Sequence, residues 1–314
     1  MEVFFSALNQ MGVLATFVVV GYVLIKSGRV PAGSAAILSK LETYLFIPAL
    51  VVGVFAEKIT PENISASMFI LGAGFILVCS TILPAIFFAR LCGKGDRYIR
   101  KIYTYGLVFP NYSYMGNAVV SAVFPAIFME YLFFTVPVGI AIYLWGMPAL
   151  LMPDAGEKAT LRERLKNLVN PTIFCMLIGM AIGYFSIPVP AFFMTAANAL
   201  GSCMSPVAML LTGMTIAMVD LRKVLRNVGT YQVSFLRLIV FPLIAIAILS
   251  VLPVSKTAFI CSVCYMAMPL GLNSIVIPGA YGQDTSVAAG MAVVSHLASC
   301  ITIPLVFLLL MRLI

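Results

Sequence analysis

A proline in the middle of an apolar run constrains this chain more than any other feature. The run extends from about Tyr98 to Phe124 and is interrupted by Phe109-Pro110-Asn111-Tyr112-Ser113-Tyr114-Met115-Gly116-Asn117. Proline removes a backbone donor and clashes with the carbonyl four residues back, so a helix across this stretch must break. The break leaves free carbonyls before Pro110 and free amides after it. In hydrocarbon only surrounding protein or a water-filled cavity can receive them. Asn111, Ser113 and Asn117 put polar side chains where that cavity has to be. About 159 positions on, a second apolar run is broken by Met268-Pro269-Leu270-Gly271-Leu272-Asn273-Ser274. Paired broken segments in corresponding halves of a membrane protein point to a transporter's binding site.

Composition places those breaks in a membrane. The chain is 62% hydrophobic and 10% charged over 314 residues, with mean hydropathy +1.09, whereas a soluble domain is nearer a quarter charged. The net charge of +8 does not indicate nucleic acid, because the basic residues sit in short gaps between apolar runs, the pattern that sets membrane topology. Seven cysteines fall mainly inside apolar segments, and Cys261 and Cys264 have no His or carboxylate nearby in sequence. They read as small buried hydrophobes rather than disulfides or metal ligands. The first apolar run begins at Val3 with no basic region before it and no cleavage signal before the Lys26–Pro31 loop, so it reads as a retained helix.

A spanning helix needs about 20 apolar residues. Dividing the chain at charges, prolines and glycines gives ten segments, at about 4–26, 33–55, 64–91, 97–123, 126–151, 170–187, 191–219, 229–252, 256–281 and 286–311. The one sizeable polar linker, within 153–167, falls at the midpoint. Five prolines pair across it in chain order: Pro31 with Pro190, Pro48 with Pro206, Pro84 with Pro242, Pro110 with Pro269 and Pro148 with Pro304, at offsets of 159, 158, 158, 159 and 156. The expected fold is therefore an all-α integral membrane protein of two five-helix repeats, 1–152 and 168–314, joined by a cytoplasmic linker. Five is odd, so the second repeat enters the membrane in the opposite sense and the repeat is inverted. Alternating loops place fourteen Lys and Arg on one side and three on the other. The positive-inside rule then sets the linker in the cytoplasm and both termini outside.

Pro110-Asn111 followed by Met115-Gly116, the second crossover Pro269-Leu270-Gly271 through Pro278 and Tyr281-Gly282, and the Pro48-Ala49-Leu50 that ends the second segment together resemble the auxin efflux carrier family. That family comprises the plant PIN-type carriers and bacterial relatives, some described as malate permeases. The likeness covers nearly the whole chain. It implies a ten-helix inverted-repeat fold similar to sodium/bile-acid symporters, with segments four and nine crossing at their breaks, an elevator-like motion and a homodimer. The short linker resembles the bacterial branch and implies the inner membrane. Two positions depart from the family pattern: Asn117 stands where an apolar residue is more usual, and Glu42 lies in a stretch usually apolar.

Asn111, Ser113 and Asn117 with Asn273 and Ser274 are the leading substrate-site candidates, and Pro110, Tyr112 and Pro269 belong to the same two breaks. An amide offers donors and an acceptor, and an Asn or Ser just after a break can also cap the following half-helix. Half-helix N-termini each carry roughly half a positive charge, so an anion can bind without a lysine. Two candidates for proton or sodium coupling lie deep in the segments. His296, the single histidine, sits about 16 Å into segment ten. Glu42 lies too deep in segment two for its carboxylate to reach water easily. Lys40 and Arg237, some seven residues in from the cytoplasmic face, read as snorkelling anchors, with anion contact as the alternative role. Gly72, Gly74, Gly179 and Gly183 suit close helix approach.

No P-loop, HExxH, Ser-His-Asp grouping or acidic cluster is present in the sequence, which argues against direct ATP drive, a metal, a cofactor or an enzyme. The expected partners are a small organic anion, membrane lipid and a coupling ion. The alternatives are a channel, which needs a continuous polar lining, and a membrane-embedded sensor, which needs an output domain supplied by another chain.

Overall fold

A computed structural model describes residues 2–93, 95–152, 160, 171–220 and 226–314. Apart from Thr160, the predicted linker lies outside them, as do seven of the fourteen basic residues used for orientation. Among the described residues the protein is helical, and its one β-type contact is an isolated antiparallel bridge between Pro110 and Leu270.

The first half holds α1 (Glu2–Lys26), α2 (Ser34–Leu41), α3 (Ile47–Lys58), α4 (Ile64–Cys92), α5 (Arg97–Val108), α6 (Asn117–Val123) and α7 (Phe128–Ala141). The second holds α8 (Pro171–Tyr184), α9 (Ala191–Ala217), α10 (Val228–Phe235), α11 (Phe241–Leu249), α12 (Lys256–Ala267), α13 (Asn273–Ala280) and α14 (Ser286–Met311). Wider π-helical turns join several of these, at Glu42–Phe46, Tyr112–Gly116, Ile142–Leu151 and Leu236–Val240. The first and last of these lie just before Pro48 and Pro242, and the third contains Pro148. A proline strips the carbonyl four residues back of its donor, and a shift to i+5 bonding lets the helix run on.

Among the described residues seven runs are long and apolar enough to cross a membrane: Val3–Lys26, Ser34–Lys58, Ile64–Cys92, Pro125–Leu151, Ala191–Ala217, Val228–Leu249 and Ser286–Met311. The other three predicted segments are shorter as helices. Segments four and nine are broken, and α8 spans 14 described residues. Large apolar side chains such as Ile76, Leu83, Phe192 and Leu297 face outward, as suits a chain whose surroundings are hydrocarbon.

Helix packing follows small residues. α1 lies along α9, where a Cβ on Gly21 would strike the Leu210 carbonyl and one on Gly213 the Val18 carbonyl. α8 lies along α3, with Gly179 and Gly183 against the backbone of Val52, Phe55 and Ile59. α4 lies along α7, with Gly74 against the Phe134 carbonyl. Gly72 departs from the expectation of close approach: nothing lies within 4 Å of its Cβ position, and it lines an open apolar groove between α4 and α11. All seven cysteines are free, with Cys261 and Cys264 buried.

Candidate functional site

Breaking two helices inside a membrane strands backbone groups, and the structure satisfies them mutually. α5 ends at Val108, and the chain passes through Phe109 and Pro110 to Asn111, whose amide donates to the Pro269 carbonyl at 2.7 Å. The two proline breaks thus meet, with Gly271 packed on the Phe109 carbonyl at the Cβ position, 2.8 Å away. The Leu270 amide donates to Ser295 Oγ at 3.3 Å. The Tyr265 hydroxyl donates to the Val108 carbonyl at 2.8 Å.

Arg237 supplies most of the remaining donors. Its Nη1 donates to the Leu107 carbonyl at 2.9 Å, Nη2 to Tyr265 at 2.8 Å and Nε to Met268 at 3.2 Å. The side chain is 0% exposed, which overturns its reading as a snorkelling anchor. Depth along a helix does not tell which face a residue occupies, and here the π-turn Leu236–Val240 carries Arg237 toward the two broken helix ends. Lys40, by contrast, is exposed near the end of α2.

Beyond the meeting point the helical run 112–123, a π-turn continued by α6, and α13 begin. Their first residues line a cavity of about 200 Å³. Pro110, Asn111, Tyr112, Ser113, Asn117 and Asn273 line it, with Tyr105, Thr135 and Tyr143 adding hydroxyls. Ile47, Val51 and Phe55 from α3 and Met176 from α8 form an apolar wall. Among the described residues that line it there is no Asp, Glu, Lys, Arg or His. A ligand there meets amides, hydroxyls, helix starts and aromatic rings.

The other predicted site residues lie near this cavity but outside its lining. Ser274 is buried and its hydroxyl donates to the Gly271 carbonyl at 2.7 Å, so it serves the turn that opens α13. Pro269 presents its carbonyl to Asn111. His296 stands behind Asn111, with Nε2 at 3.0 Å from Asn111 Nδ2. Its Nδ1 faces the Ala292 carbonyl at 2.8 Å. A carbonyl can only accept, so Nδ1 carries the proton and Nε2 of this neutral ring accepts from the Asn111 amide. Asn111 therefore reaches His296 instead of capping the helix that follows it.

Glu42 is buried, and neither carboxylate oxygen has a hydrogen-bond partner. An unpaired buried charge is costly, and the position suits a neutral acid. Asn117 is 4% exposed, and its Oδ1 has no partner although it lines the cavity. Sequence reasoning passed over Tyr105, Tyr143 and Tyr265 and misjudged the role of Arg237. Only Arg237 carried a signal, being a lone charge flanked by apolar residues within segment eight.

A family model described as membrane transport protein matches residues 7–307. A search of curated proteins finds none similar to the chain.

Proposed function

We infer function from one starting point: the chain belongs to the membrane transport protein family, that of the auxin efflux carriers. Transport across a membrane is that family's role. We propose that this member is a secondary carrier of a small organic anion, such as a carboxylate, and that the cavity where the two breaks meet is its binding site. The observation that carries the reading is the cavity's construction. Two helix starts and several neutral donors converge on a space whose described lining residues include no acidic group, an arrangement that favours a compact anion.

The ten-helix inverted repeat belongs to the same proposal. Its support, besides the proline spacing, is a reciprocal packing pattern. α1 pairs with α9 and α3 with α8, so the first two segments of each half exchange partners. The cavity lies where α3 and α8 face the broken helices and α7. An elevator motion of the broken-helix group past that wall would expose the site to each side in turn. The same reading holds both termini outside and two copies per assembly.

For coupling, the proposal assigns a proton to His296. In the neutral state Asn111 gives one N–H to Nε2, leaving Oδ1 and a single N–H for a ligand. Protonation makes Nε2 a donor, so the amide must turn its Oδ1 toward the ring and its NH2 toward the cavity. An anion is then held better with the proton bound. Arg237, a charged group on the elements packed against α14, is already committed to carbonyls. Glu42, without a hydrogen-bond partner, is the second candidate, and sodium is the alternative coupling ion. The test is a thermal-shift screen of purified full-length chain against carboxylic acids and their neutral amides, at two pH values, with and without sodium. Stabilisation by acids and not by amides is expected; equal effects of both would overturn the anion reading.

A further inference from the structure

We propose that Arg237 sets the charge of the site, acting through the crossing helices to make the cavity selective for anions; this rests on the anion-carrier reading above. Each helix end carries about half an elementary charge, positive at the N-terminus and negative at the C-terminus. α5 and α12 end at the crossing and turn their carbonyls to Arg237, while the run 112–123 and α13 turn their starts to the cavity. Those four ends alone sum to about zero, and an anion would gain little from the pair of positive ends with the negative pair so near. Arg237 cancels the negative pair and leaves the crossing at about +1.

Three features fit this role better than simple backbone satisfaction. The guanidinium is fully buried, and its bonds go to the Leu107, Tyr265 and Met268 carbonyls and to Met266 Sδ, none of which is a carboxylate that would annul it. A pair of aromatic rings links it to the cavity. Arg237 Cζ is 5.5 Å from the Tyr265 ring centre, and that ring is 6.1 Å from the ring of Tyr112, which lines the cavity. In so apolar a medium its field is weakly screened. Finally, Asn117, which lines the same space, is buried with its Oδ1 unpartnered, an acceptor left over for a ligand's donor.

Arg237 is thus a positioning and specificity residue that touches no ligand, and a reporter anion built into the site tests it without a substrate. A Ser113→Cys thiol in the full-length detergent-solubilised chain reacts with a methanethiosulfonate reagent as its thiolate, and mass spectrometry reads residue 113 alone. Adding Arg237→Gln should raise the pH of half-maximal reaction by about one unit, a ten-fold change in the thiolate equilibrium. Arg237→Lys, which keeps the charge, should leave it where it was. An unchanged midpoint in Arg237→Gln with an intact gel-filtration profile overturns the proposal. If that variant does not fold, Met266→Glu cancels the charge in place, with Met266→Gln as its control. A higher midpoint for the Glu variant supports the proposal and equal midpoints overturn it. Neither outcome depends on which carboxylate binds, so failure here leaves the anion-carrier reading to its own screen.

Discussion

Asn111 and Leu270 occupy matching places, each one residue past a helix-breaking proline, and adjacent residues of α14 hold them: His296 at the first break and Ser295 at the second. At the first break the link runs from a side-chain amide to an imidazole. At the second it runs from a backbone amide to a hydroxyl, and Leu270 itself and the nearby Leu272 are apolar. The first break contributes Asn111, Tyr112, Ser113 and Asn117 to the cavity lining, whereas the second contributes mainly Gly271 and Asn273. The two breaks are alike in how they dispose of the backbone and unlike in what they offer a ligand. A repeated frame fixes where the site lies, and side chains from one copy fix most of its chemistry.

The largest expected effect follows from that inequality. Asn111→Ala removes both a cavity-facing amide and the partner of His296. It should weaken binding of the screened carboxylate by ten-fold or more, about 1.4 kcal/mol, rising to about 3 if the amide meets a charged oxygen. Asn273→Ala removes a single cavity-lining amide and should cost about 0.5 to 1.5 kcal/mol. Calorimetry on gel-filtered protein gives both numbers. Equal losses, or a larger one for Asn273→Ala, would remove the asymmetry.

For stability the order should reverse. A Cβ on Gly271 would lie 2.8 Å from the Phe109 carbonyl oxygen and 3.2 Å from that of Pro110, and neither backbone can yield without parting the breaks. Gly271→Ala should therefore destabilise by about 1–3 kcal/mol, the usual scale of overpacking. At the first break a Cβ on Gly116 would meet the Tyr131 hydroxyl, the far end of a side chain. Gly116→Ala should lower the melting temperature less than Gly271→Ala does in the same detergent.

How much of this was legible in the sequence follows from how each feature is encoded. The breaks were legible because proline acts locally: Pro110 and Pro269 disrupt helices whatever surrounds them. Asn111 and His296 each stood out as polar residues deep in apolar runs, yet their pairing joins residues 185 apart and exists only in the packed chain. Arg237 was misplaced because its distance from the helix end suggested a route to water, while the face it occupies is set by a π-turn that no periodicity reveals. Ser274 sits one residue from Asn273 but faces its own turn, since neighbouring residues on a helix point some 100° apart.

The smallest expected change at neutral pH comes from His296→Gln, and it tests the titratable half of the contrast. A glutamine Oε1 can accept from Asn111 Nδ2 as the neutral imidazole does, so binding near neutrality should stay close to wild type. What should vanish is the response to pH. In the wild type, protonating His296 makes Nε2 a donor, turns the Asn111 amide over and presents NH2 to the cavity, so affinity for an anion rises as pH falls. Glutamine does not titrate, and its affinity should stay flat over the same range, once the ligand's own ionisation is subtracted. Ser295→Ala at the second break removes an acceptor that does not titrate near neutrality, and should leave the wild-type slope in place. A slope that survives His296→Gln would move the coupling proton to Glu42 or leave the task to sodium, and the two breaks would then differ in shape alone.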